Sequence, residues 1–159
     1  MKRRLLFLFA VFMVGTSVGW GQMIPTYYKV AVGTGGDGSS AGSPIYKANL
    51  EAALSDAALS SLDSVIILLP EGEYSANAAP YSITKSSLAI IGEGDTSTVT
   101  IKSPVDIELT NGGNVSFQKV HLTAKTSTGR GVVDIKSSKT TVSFSESKIT
   151  IEGRGTGDS

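Results

Sequence analysis

The chain has 159 residues, 40% of them apolar, with 18 glycines, no cysteine, and 14 basic residues against 14 acidic ones. That length suits one domain with a folded core, and the missing cysteine excludes disulfide staples, a thiolate nucleophile and a cysteine-ligated metal. Without Lys2, Arg3 and Arg4 the balance becomes 11 basic against 14 acidic, which argues against nonspecific nucleic-acid binding because that needs a basic face.

The first segment reads as an address. Lys2-Arg3-Arg4 precedes an unbroken apolar run over 5–14, and Gly19-Trp20-Gly21 places small residues before Gln22. This is the three-part pattern of a secretory signal peptide, expected over 1–21. The apolar run is short for a membrane span, which needs roughly 20 residues. Export to an extracellular or outer-surface space is therefore expected, with no stable span after cleavage.

Residues 22–62 are expected to form a strand, a glycine loop and a capping helix. Tyr28-Lys29-Val30-Ala31-Val32 reads as the strand. Gly33, Gly35 and Gly38 satisfy the spacing G-x-G-x-x-G, but Ser39 to Ser43 intervene before any helix. A dinucleotide site needs the helix to open at the glycines, so a flexible surface loop is the better reading. Asp37 within it is a lone carboxylate, short of the six to eight oxygens that calcium takes. Ser43-Pro44 looks like an N-cap with proline in the first turn, which predicts a helix over 45–59. Leu50, Ala53, Leu54 and Ala57 fall on one stripe of it. That flat alanine-rich face suits covering the open end of a stack of strands, or packing elsewhere on the body.

From residue 63 to 159 the chain is expected to be strands in successive coils. Val65-Ile66-Ile67-Leu68-Leu69 is a continuous apolar run that suits a strand buried on both faces. Leu88-Ala89-Ile90-Ile91 and Thr98-Val99-Thr100-Ile101 follow, with glycine turns between. A repeat then becomes visible. Val105-Asp106-Ile107 recurs as Val133-Asp134-Ile135, an offset of 28, and Val115-Ser116-Phe117 recurs as Val142-Ser143-Phe144, an offset of 27. Self-similarity at this period marks stacked supersecondary units. Alternate side chains of a strand face opposite ways, so Val stacks on Val, Ile on Ile, and Phe117 on Phe144. The expected fold is an all-β solenoid: a right-handed parallel β-helix with an N-terminal capping α-helix, open or truncated at its C-terminal end. An uncovered end would allow end-to-end self-association.

The order of these segments carries a resemblance. A strand runs into Gly33-Thr34-Gly35-Gly36-Asp37-Gly38; then come Leu50-Glu51-Ala52-Ala53-Leu54, the run into Pro70-Glu71-Gly72-Glu73-Tyr74, and Leu88-Ala89-Ile90-Ile91-Gly92-Glu93-Gly94. This resembles the N-terminal part of pectate-lyase-like proteins, pectinesterases included. The resemblance implies a parallel β-helix, an extracellular setting and a carbohydrate ligand; its motifs specify fold better than activity. No pectinesterase paired-aspartate segment and no lyase set of calcium-binding carboxylates matches, so no catalytic residue is carried over.

Four residues are candidates for binding. Stacking at about 4.8 Å sets Asp106 near Asp134; the like charges favour a cation between them or stand as a solvated outward face, and calcium is the cofactor they would suit. Arg130 and Arg154 lie in Gly-Arg-Gly loops, where a guanidinium fork matches the carboxylate of an acidic sugar or is simply solvated. His121, the sole histidine, points outward by alternation and has no nucleophile or carboxylate set with it. The functional expectation is a secreted or surface module, noncatalytic, that binds extracellular or cell-wall polysaccharide. The alternatives are the N-terminal fragment of a polysaccharide lyase or pectinesterase-like enzyme, and a structural stalk or adhesin.

Overall fold

A computed structural model describes residues 24–59, 64–75, 81–83, 87–102, 105–109, 113–125, 133–135 and 139–152. Thirteen strands and one helix lie in these segments: β1 (Thr26–Val30), β2 (Ile45–Lys47), α1 (Leu50–Leu59), β3 (Ser64–Leu69), β4 (Gly72–Ser75), β5 (Tyr81–Ile83), β6 (Ser87–Gly92), β7 (Val99–Lys102), β8 (Val105–Leu109), β9 (Gly113–Gln118), β10 (His121–Lys125), β11 (Val133–Ile135), β12 (Thr140–Ser145) and β13 (Lys148–Glu152). The protein is thus a mostly parallel all-β structure with a single described helix.

The strands form three sheets, ordered β12-β9-β6-β3-β1-β2, β13-β10-β7-β4 and β11-β8-β5. Every described strand pair is parallel. Past β1 and β2, each sheet takes every third strand in chain order, so neighbours come from successive passes of the chain. The register aligns like with like. Tyr28, Ile67, Ile90, Phe117 and Phe144 form one column, and Val65, Leu88, Val115 and Val142 another. In the four-stranded sheet Tyr74, Ile101, Leu122 and Ile149 align. The Phe117 and Phe144 rings stack with centroids 5.4 Å apart and planes 12° from parallel, as the repeat predicts.

These columns are the core. Val65, Ile67, Leu69, Leu88, Ile90, Val99, Ile101, Val115, Phe117, Val120 and Leu122 are all fully buried in one cluster. Burying a Val, Leu, Ile or Phe side chain is worth about 1.5–3 kcal/mol, and no single pass could bury such a face without its neighbours. Corners repeat as well as strands. Lys119 after β9 and Glu146 after β12 both take positive φ, 53° and 49°. The backbone ladder continues past these corners, Lys119 N–H donating to the Ser145 carbonyl and Lys148 N–H to that of Val120, each at 3.0 Å.

The helix begins later than predicted. Ile45–Lys47 is a strand paired with β1, and the N-cap is Asn49, not Ser43. The Asn49 Oδ1 accepts the Ala52 N–H at 2.7 Å, which satisfies one of the first-turn donors. Three β-favouring or long side chains find a pairing edge on β1, and the edge outweighs helical propensity there. The predicted stripe holds: Leu50, Ala53, Leu54 and Ala57 are fully buried. α1 packs on β1, β2, β4 and β5, which lie at the end of each of the three sheets that comes first in chain order, and Lys47 is tied to Asp56 at 3.0 Å.

The first strand is also shifted. It spans Thr26–Val30 rather than 28–32, and Val32 is fully exposed. The chain leaves the sheet there to make the glycine loop. That loop is built, not loose. Gly36 has φ +89°, and a Cβ on it would fall 1.9 Å from the Pro44 carbonyl oxygen. The Gly38 carbonyl accepts the Tyr27 N–H, while its own N–H donates to the Ser43 carbonyl, both at 2.8 Å.

Candidate binding face

Strand alternation gives the six-stranded sheet an outer face opposite the core. In register, one outward row is Tyr46, Lys29, Leu68, Ile91, Gln118 and Ser145. The other is Tyr27, Ile66, Ala89, Ser116 and Ser143. The face therefore grades from aromatic and aliphatic on β2, β1, β3 and β6 to hydroxyl and amide on β9 and β12.

Its apolar half is partly covered by its own charged side chains. Leu68 is 7% exposed but does not belong to the core cluster. Lys29 sits beside it in register, and its Nζ reaches Glu93, beyond β6, at 2.8 Å. The pair links β1 to the residue after β6, with β3 and Leu68 between them in the sheet order, an arrangement that suits a long cationic side chain whose head stays wet. Glu93 neutralises the one cation in these two rows. Ile66, Ala89, Ile91 and Tyr27 stay half-buried, so Ile66 is less covered than the continuous apolar run predicts. Tyr46 is fixed from one side by the glycine loop: a Cβ on Gly33 would lie 2.6 Å from the Tyr46 ring. This gives a sheet face with tyrosines at one border, a closed Lys29–Glu93 ion pair on it and hydrogen-bonding groups along the other border.

Several polar groups elsewhere have structural partners. Asp37 Oδ1 accepts the Ser39 N–H at 3.0 Å. Hydrogen bonds from Ser39, its hydroxyl first, and from Ser43 hold the Asp37 carboxyl down at about 2, so this group anchors the loop. Tyr74 donates its hydroxyl to the Pro70 carbonyl at 2.6 Å; burial, then the charge of Glu93, raises its pKa. His121 Nε2 lies 2.9 Å from the Thr150 hydroxyl. Burial, then Lys148, lowers its pKa and keeps the ring neutral at pH 7. A cleft of about 290 Å³ opens at the start of α1, between Val30, Leu50, Glu51, Glu73 and Tyr74. Two of its groups are already engaged: Glu73 pairs with Lys102 at 2.6 Å, and Tyr74 with Pro70.

The residues predicted from sequence fall in two sets. Asp106 and Asp134 are direct register partners in β8 and β11, as the repeat requires. Arg130 and Arg154 lie outside the described residues, as does the segment 1–21 expected to be a signal peptide. Among the described residues no group of three or more His, Asp or Glu side chains is placed to hold a metal ion, and no helix is long and apolar enough to cross a membrane. No family model, curated protein or solved structure matches the chain. The platform is what sequence reading missed. Its signal was present: a run apolar at both parities, 65–69, followed by Ala89 and Ile91 at the outward parity of the next strand.

Proposed function

We propose that this chain forms a right-handed parallel β-helix of the pectate-lyase-like kind, a secreted surface module that binds extracellular polysaccharide without transforming it. The β-helix reading draws support from the sheet order, in which each sheet takes every third strand, and from the steps of 23, 27 and 27 residues along Val65, Leu88, Val115 and Val142. The signal-peptide pattern of residues 1–21 supports export. The observation that carries the binding reading is the outer face of the six-stranded sheet. Sugars present apolar C–H faces rimmed by hydroxyls. A sheet face with tyrosines and aliphatics at one side, and Ser116, Gln118 and Ser143 at the other, offers partners to both. With Lys29 closed by Glu93, the face suits an uncharged glycan better than an acidic one.

Affinity electrophoresis of the secreted protein through gels containing neutral cell-wall glycans tests this. Retardation by a neutral glycan is expected, and its loss in Tyr27→Ala and Ile66→Ser with the far-ultraviolet circular dichroism unchanged. Absence of retardation by any glycan would remove the binding reading. Unsaturated products from polygalacturonate and calcium would replace it with an enzymatic one.

A further inference from the structure

The outer face of the six-stranded sheet has a third row beside the two already described. Ser64, Ser87, Asn114 and Thr141 align in register. They stand two residues before Ile66, Ala89, Ser116 and Ser143 in their strands, and so share their outward parity. Ser64 and Ser87 are half-buried, Asn114 and Thr141 exposed. The row of Tyr27, Ile66, Ala89, Ser116 and Ser143 therefore lies in the middle. On its other side is the row of Lys29, which Glu93 closes. Down a row the chemistry recurs: the third row is hydroxyl or amide throughout, and the middle row has Tyr27, Ile66 and Ala89 on three consecutive strands. Along a strand it changes, from Ser64 to Ile66 on β3 and from Ser87 to Ala89 on β6.

We infer that the ligand of this face is an extended, linear, neutral glycan that lies across the strands, one sugar to each strand. This rests on the polysaccharide reading above and adds the shape and direction of the chain that is bound. A polymer of identical units gains most where each unit meets equivalent partners. Here equivalent positions recur from strand to strand, at a step of about 4.8 Å. Outward positions along one strand are about 6.6 Å apart, and their chemistry alternates. A β-linked ribbon advances per sugar by nearly the inter-strand step, whereas an α-linked chain coils away from a straight row. With the ring faces of the sugars on Tyr27, Ile66 and Ala89, the hydroxyls along one edge of the ribbon meet Ser64, Ser87 and Asn114. The closed Lys29–Glu93 pair borders the opposite edge, so the three rows carry no net charge and offer nothing to an acidic sugar.

Calorimetric titration of the full secreted chain with cello-oligosaccharides, from the dimer upwards, tests it. Affinity rises with each added sugar at least to the tetramer, which spans β1, β3, β6 and β9, and the tetramer binds about tenfold or more tighter than the dimer. Malto-oligosaccharides, which have the same sugar in α-links, show no such rise. Tyr27→Ala and Ser116→Ala lie three strands apart in one row, and each weakens the tetramer about threefold or more. The length series uses the wild type alone, so it stands even where a variant folds poorly. A dimer that binds as tightly as the tetramer, an equal rise for the α-linked series, or a tetramer sensitive to only one of two well-folded variants would each overturn the arrangement. Retention of a neutral polymer in gels without any length dependence in solution overturns this inference alone; retention of no glycan overturns the polysaccharide reading with it.

Discussion

Phe117 and Phe144 occupy equivalent positions 27 residues apart and stack on one another, but one is fully buried and the other 44% exposed. Burial decides what each contributes. Truncating a buried phenylalanine costs about 3–5 kcal/mol through lost transfer energy and the cavity left behind. Phe117→Ala is expected to lose that much in urea unfolding, and Phe144→Ala less than half of it, because water already reaches its site. Equal losses would mean that the column is not covered on one side only. Asp37 gives a pH signature at the same scale. Its folded pKa, about 2, lies below the usual value of 3.8. Its stabilisation of the glycine loop is therefore complete above about pH 4 and is lost as pH falls towards 2. Loop amide shifts for Gly38 and Ser39 are expected to titrate through that window in the wild type and to be flat in Asp37→Asn.

The helix is the element on which sequence reading was half right. The spacing of Leu50, Ala53, Leu54 and Ala57 identified the buried stripe, since a 3.6-residue period survives whatever the helix packs on. The start was misplaced because Ser43-Pro44 is a valid local cap signal, and nothing local says that Ile45-Tyr46-Lys47 has a strand edge waiting on β1. Asn49 carried an equally good signal, a cap residue directly before the stripe. Asn49→Ala is expected to cost about 1 kcal/mol, read as a lower midpoint in urea with an unchanged slope. Ser43→Ala is expected to lack that helix-cap loss, although it touches the Asp37 loop. The first strand shows the same division: alternation identified a strand, but its end was set by the turn of the chain away from the sheet after Val30.

At the scale of the whole molecule, strands of successive passes are parallel neighbours around one buried cluster, and opening is expected to start where a strand has one neighbour rather than two. Amide exchange in β3, β6 and β9, which are paired on both sides, is expected to be slowest. Exchange in β12 and β13, each paired on one side among the described residues, is expected to be faster by an order of magnitude or more. Uniform protection from β3 to β13 would show a single cooperative unit instead.

The amino-acid sequence by itself determined the strand alignment. Val115, Phe117, Val142 and Phe144 repeat at a fixed offset, and a one-residue slip would turn every apolar side chain to the wrong face. It also marked Asp106 and Asp134 as neighbours, because identity of register needs only the repeat. The outer platform was decided in three dimensions. Tyr27, Tyr46, Ile66 and Ile91 come from four strands, and no local pattern reports which faces meet water once distant segments pair. The half-exposed Phe144 was likewise beyond the repeat, which records what lies beneath a side chain in the stack but not whether anything lies above it.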